Sequence, residues 1–133
     1  MARKTRETTT ELSAVAAALP PLIAAADARR KAITARMAKL ERAGLIYATE
    51  HWRRDGKSGK PAYLYLLHPS HAGEARKREY VGLDAKKIKL ARDGIQRAKE
   101  FDELTSQHQH LQLQLSEAFD TLQRAYRLLN QQW

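Results

Sequence analysis

The sequence predicts a mainly α protein with one small β-hairpin, followed by a long C-terminal helix of coiled-coil character. Three observations carry that expectation. Apolar residues recur at helical spacing before residue 43, two runs suited to strands flank the segment RDGKSGK, and no proline occurs from Asp84 to Gln131.

Thr8 and Glu11 fit a capping box, in which a threonine hydroxyl serves the N3 amide and a glutamate reaches back. Behind them Leu12, Val15, Ala16 and Leu19 give a first helix near 9–19, which Pro20-Pro21 ends. Pro21 suits the first turn of a short second helix, 21–26, built on Leu22 and Ile23. Asp27 is an N-cap for a third helix, 28–43, and Gly44 is its stop. That helix aligns Ile33, Met37 and Leu40 on one stripe. Lys31, Ala35, Ala38, Lys39 and Arg42 lie opposite, with Thr34 on the flank.

Two strands follow, Leu45–Arg53 and Ala62–His68, joined by Asp-Gly and Ser-Gly pairs that tolerate positive φ. Pro61 fits an edge position. Residues 70–83 change character and read as a linker, within which Lys77–Val81 is able to form a short extra strand. Asp84 caps the last helix. Phe101, Leu104, His108, Leu111, Leu115, Ala118, Leu122, Ala125 and Leu129 alternate steps of three and four, a heptad-like seam. Ile88, Ala91, Ile95 and Ala98 form a second seam in another phase. Gly94, which costs about 1 kcal/mol relative to alanine in a helix interior, marks a bend or break between Gly94 and Lys99.

The formal net charge is +9, and it is unevenly placed. Residues 1–80 hold 16 Lys and Arg against 8 Asp and Glu, and residues 81–133 hold 8 against 7. A one-sided excess of this kind suits a polyanion such as nucleic acid, the alternative being a basic surface kept for solubility. The absence of cysteine excludes disulfides and thiol catalysis. No apolar run is read as reaching the roughly 20 residues of a bilayer crossing, and MARKTRETTT lacks the apolar core of a secretory signal. A cytoplasmic protein without membrane contact is expected.

Catalytic readings are weak, and no enzyme, metal or cofactor is expected. His108 and His110 fall on different helix faces, and His51, His68 and His71 have no acidic cluster in sequence. GKSGK lacks the upstream glycine of a phosphate-binding loop and is followed by Pro61 and a strand, where that loop needs a helix.

A DNA major groove accepts a helix whose outward face is small or polar. Helix 28–43 offers Arg30, Lys31, Thr34 and Ala35 to base edges, Arg29 and Arg30 near its N-terminus to phosphate, and Lys39 and Arg42 as phosphate clamps. The hairpin tip adds Arg53, Arg54, Lys57, Ser58 and Lys60, against the single acid Asp55. Residues 1–7 form a flexible basic arm, either a frayed terminus or a further DNA contact.

Residues 8–69 resemble winged helix-turn-helix regulators of the broad MarR and PadR kind, and KLERAGLIYA is the most typical segment. The resemblance implies binding of double-stranded DNA by a recognition helix and a wing. It departs at Ala25-Ala26-Asp27, where the usual turn glycine is missing. The helical region 84–133 resembles the dimerisation helices such regulators append, with Phe101, Leu104, Leu111, Leu115, Ala118, Leu122 and Leu129 as the contact. The expected function is a homodimeric transcriptional regulator that represses by occupying an operator. One alternative is an accessory factor for replication, partition, transfer or transposition of a mobile element; another is a helical protein-interaction module.

Overall fold

The computed structural model describes residues 5–54, 56–57, 61–70 and 73–131. In chain order they form α1 (Thr5–Ala43), β1 (Thr49–Arg54), β2 (Pro61–Leu67), β3 (Arg78–Gly82) and α2 (Ala85–Leu129). The protein is therefore mainly helical, with one three-stranded antiparallel sheet in the order β1-β2-β3.

The first correction concerns α1. The helices expected at 9–19, 21–26 and 28–43 are one helix of 39 residues, with Pro20 and Pro21 inside it. The corner expected at Ala25-Ala26-Asp27 lies within continuous helix, so no helix-turn-helix precedes the hairpin. Proline at these positions removes the amides that would serve the carbonyls of Ala16 and Ala17. A heptad pattern nonetheless continues across these positions. Leu12, Ala16, Leu19, Ile23, Ala26, Arg30, Ile33, Met37 and Leu40 alternate steps of four and three straight through the prolines. Asp27 accordingly is not an N-cap; it sits mid-helix and takes Arg30 and Lys31 one turn on, at 2.9 and 3.1 Å. The helix also starts ahead of the expected capping box, at Thr5.

Continuity has a second effect. It joins apolar lengths on either side of the prolines, so α1 contains an 18-residue stretch of mean hydropathy 1.3, long and apolar enough by length and composition to cross a bilayer. The expectation that no such run exists is corrected on this point, and the stretch is solvent-exposed in the single chain.

The described residues fall into two compact units. One comprises 1–35 with 107–133, the other 36–106, so their boundaries fall inside the two helices and not in the segment 70–83. In the first unit Ile33 and Leu111 are buried. Pro20, Ile23, Ala24, Asp27 and Leu115 line one shallow depression there.

The second unit holds the sheet and most of the core: Leu40, Leu64, Leu66, Ala91 and Ala98. Gly44 ends α1 as expected, with φ 106° and its N–H donating to Leu40 O at 3.1 Å. The chain then lies directly on α2: Ile46 N–H donates to Gly94 O at 3.1 Å, and Arg97 Nε donates to Gly44 O at 2.7 Å. Gly94 therefore introduces no break; α2 runs through it unbroken. Asp84 caps α2, its carboxylate accepting from Lys86 N at 3.0 Å.

Candidate nucleic-acid interface

In a β-strand alternate residues face opposite sides of the sheet, and the register shows what each side carries. Across β1 and β2, Glu50 faces Leu66 and Trp52 faces Leu64. This is the inner side. Leu64 and Leu66 are fully buried, Trp52 is half-buried, and Arg92 of α2 reaches Glu50 at 2.6 Å. The Arg92 hydrogen bond holds the Glu50 carboxyl below its ordinary range. Glu79 of β3, opposite Leu66, belongs to the same side and meets His68 at 3.1 Å.

The outer side is built from the other parity. Thr49 pairs with Leu67, His51 with Tyr65 and Arg53 with Tyr63 across β1 and β2. Tyr65 pairs with Tyr80 and Leu67 with Arg78 across β2 and β3. The two faces thus separate charge. Both described strand carboxylates, Glu50 and Glu79, are on the inner side, while the outer side carries Arg53, Arg78 and His51 with no acid among its described residues.

At the centre of the outer side three tyrosines cluster. The Tyr80 ring lies 5.3 Å from that of Tyr65, edge-on, and 6.2 Å from that of Tyr63, tilted by 46°. A register shift between Leu64 and Tyr65 places Gly82 against Leu64, and Gly82 has φ 90°. A Cβ there would meet the Tyr80 ring at 3.1 to 3.4 Å, so the ring rests on bare backbone. Tyr80 is still 61% exposed and Tyr63 42%.

Of the expected wing residues, Arg53, Arg54 and Lys57 are exposed, and Arg53 and Arg54 form no ion pair among the described residues. Ser58 and Lys60 lie outside the described residues, as do residues 1–4 of the expected arm.

The helical residues divide. Arg29, Ala35 and Lys39 are exposed. Arg30 is half-buried and, with Lys31, committed to Asp27, whose carboxyl is held below its ordinary value by those two hydrogen bonds. Thr34 Oγ1 donates back to the carbonyls of Arg30 and Lys31, both at 3.1 Å. Arg42 Nε donates to Ala38 O at 3.3 Å, and its side chain stays exposed. No helix N-terminus exists near Arg29 and Arg30, so the free amides expected there are absent: the amides of this region lie within a continuous helix.

The expected dimer seam also divides. Phe101, Leu104 and Leu115 are half-buried and Leu111 is buried within the single chain, whereas Ala118, Leu122 and Leu129 are exposed. Phe119 and Tyr126 extend the exposed part, since Leu115, Phe119, Leu122, Tyr126 and Leu129 alternate four and three.

Sequence reasoning missed the tyrosine face. The extra strand expected at Lys77–Val81 is present as β3, Arg78–Gly82; what the alternation of AYLYLL and REYVG does not give is its pairing with β2, which brings Tyr80 beside Tyr63 and Tyr65. Compared with known proteins, the chain matches no family model, no curated relative and no solved structure.

Proposed function

We propose that the protein binds nucleic acid, with double-stranded DNA as its partner, and acts as a homodimeric regulator by occupancy. The observation that carries this reading is the charge separation across the sheet. Arg53 stands exposed on an outer side without carboxylates among its described residues, Arg54 beside it is exposed too, and neither forms an ion pair among the described residues. Cations placed so gain by displacing condensed counterions from a phosphate backbone. The hairpin serves as the wing of the resemblance, and the exposed Lys39 and Arg42 of α1 serve as helical phosphate contacts. The finer winged helix-turn-helix assignment would require a recognition helix separate from its predecessor, and α1 offers its basic positions within one continuous helix instead.

The dimer is proposed from the first unit. Leu12, Ile23, Phe119, Leu122, Tyr126 and Leu129 are exposed there, on the same heptads that are buried at Ile33 and Leu111. A stripe continuous with a buried seam is completed most simply by the same stripe of a second copy.

The test is selection from a random duplex pool, followed by affinity of the enriched sequence at two salt concentrations. Salt-sensitive binding of an inverted repeat supports a dimeric regulator. Absence of binding at low salt refutes the nucleic-acid reading.

The accessory role in replication, transfer or transposition is a second reading, favoured by the exposed tyrosines. A duplex binder that only grips phosphates has no use for open aromatic rings.

A further inference from the structure

We infer that the outer face of the sheet is a stacking platform for unpaired nucleobases, so that the protein holds single-stranded DNA or RNA more tightly there than an intact duplex. The inference rests on the nucleic-acid reading and adds to it the state of the strand that this face takes.

Four observations point to such a ligand. Tyr63, Tyr65 and Tyr80 form one cluster, and the rings of Tyr63 and Tyr80 are open to solvent. Arg53 and Arg78 flank it on the two outer strands, opposite Tyr63 and Leu67, so cations lie on both sides of the aromatic row. The described carboxylates of the strands are on the other face, where Arg92 and His68 engage them. Finally, Gly82 gives up its side chain beside Tyr80, so the ring lies against bare backbone there and still stays largely exposed.

The chemistry that matches is a planar aromatic with a phosphate on either side. Stacking of a base on a tyrosine is tolerant of sequence, because every base has a π face, and flanking arginines track the backbone. Bases inside a duplex are already stacked on one another and are unavailable to this face. An acidic peptide would satisfy the arginines but not the rings. A purely structural cluster, stabilising the sheet by cross-strand aromatic contact, would bury its rings more fully and would not require both strand acids to be turned away.

The experiment uses the full chain with three fluorescein-labelled probes: a thymidine 20-mer, a uridine 20-mer and a random-sequence 20-base-pair duplex. The expected result is tighter binding of both single strands than of the duplex. Tyr80→Ala should lower single-strand affinity about tenfold and leave duplex affinity unchanged, and Tyr80→Phe should keep single-strand affinity. Equal thymidine and uridine binding assigns the platform to bases alone, whereas a preference for uridine that a deoxyuridine 20-mer does not share adds a contact to the ribose hydroxyl; both support stacking.

Should Tyr80→Ala fold poorly, photocrosslinking of a 5-iodouracil 20-mer to the unmodified protein gives the same answer, with adducts expected on Tyr63, Tyr65 or Tyr80. Equal affinity for strand and duplex, with adducts only elsewhere, overturns the platform and leaves the nucleic-acid reading intact. Failure to bind any of the three probes at low salt overturns both.

Discussion

Ile46 occupies the space that a Cβ on Gly94 would need. A methyl group built at Gly94 would fall 2.6 Å from Ile46 Cγ1 and closer still to its Cδ1, while the Ile46 amide donates to the Gly94 carbonyl. By propensity alone Gly94→Ala gains about 1 kcal/mol. Overpacking costs about 1–3 kcal/mol and is expected to win, so Gly94→Ala should destabilise the protein in urea denaturation. Adding Ile46→Ala should recover part of the loss. A stabilised Gly94→Ala variant would show that the chain and α2 are not in this contact.

Two ion pairs are expected to make the second unit's stability depend on pH in the acid range. Glu100 is held below its ordinary value of 4.5 by hydrogen bonds from Arg36, and Glu50 likewise by Arg92. A carboxyl depressed on folding contributes stability above its unfolded pKa and loses it as pH falls through the folded one. Urea midpoints should therefore be flat from pH 7 to about 5 and fall below the ordinary value of 4.5. Arg92→Gln should lower the midpoint at pH 7 and make the acid fall shallower. Because both pairs are partly exposed, added salt should reduce the effect.

Replacing Arg53 and Arg54 together by Gln should weaken duplex binding at low salt. The slope of log affinity against log salt should shrink by roughly 2, at about 0.9 per phosphate contact. An unchanged slope would remove these two side chains from the interface.

The exposed stripe of the first unit predicts a concentration-dependent dimer in sedimentation equilibrium. Leu122→Asp and Leu129→Asp, at positions exposed within one chain, should each give a monomer with unchanged helical content. If the wild-type chain is monomeric throughout, the stripe faces something other than a second copy, and partition onto lipid vesicles is then the measurement to make.

The sheet was legible because its cues are short-range. Alternation in AYLYLL and the glycine pairs between strands marked β1 and β2 within a few residues, and Gly44 and Asp84 marked the neighbouring helix ends. The stripe of Ile33, Met37 and Leu40 was right for the same reason. Local rules failed where a longer pattern overrode them. Pro20-Pro21 breaks a helix judged over one or two turns, yet α1 runs through them, with a heptad pattern from Leu12 to Leu40 spanning both sides. Asp27, a good cap in isolation, is used by Arg30 and Lys31 one turn on. Gly94 was seen as a weak point because its partner, Ile46, is 48 positions away and invisible to periodicity. The tyrosine face needed the pairing of β3 with β2, which only the register supplies.

The two prolines of α1 have a consequence for how the helix opens. With the carbonyls of Ala16 and Ala17 lacking amide partners, the helical ladder has its weakest rungs there. Thermal opening from the N-terminal end should reach these rungs at little cost and stop beyond them, where Ile33 and Leu40 are buried. Backbone amides of residues 9–19 should exchange with solvent deuterium as a block of their own, well before those of 30–43. The prolines thus let the first third of α1 unzip and re-form without melting the turns that precede the sheet.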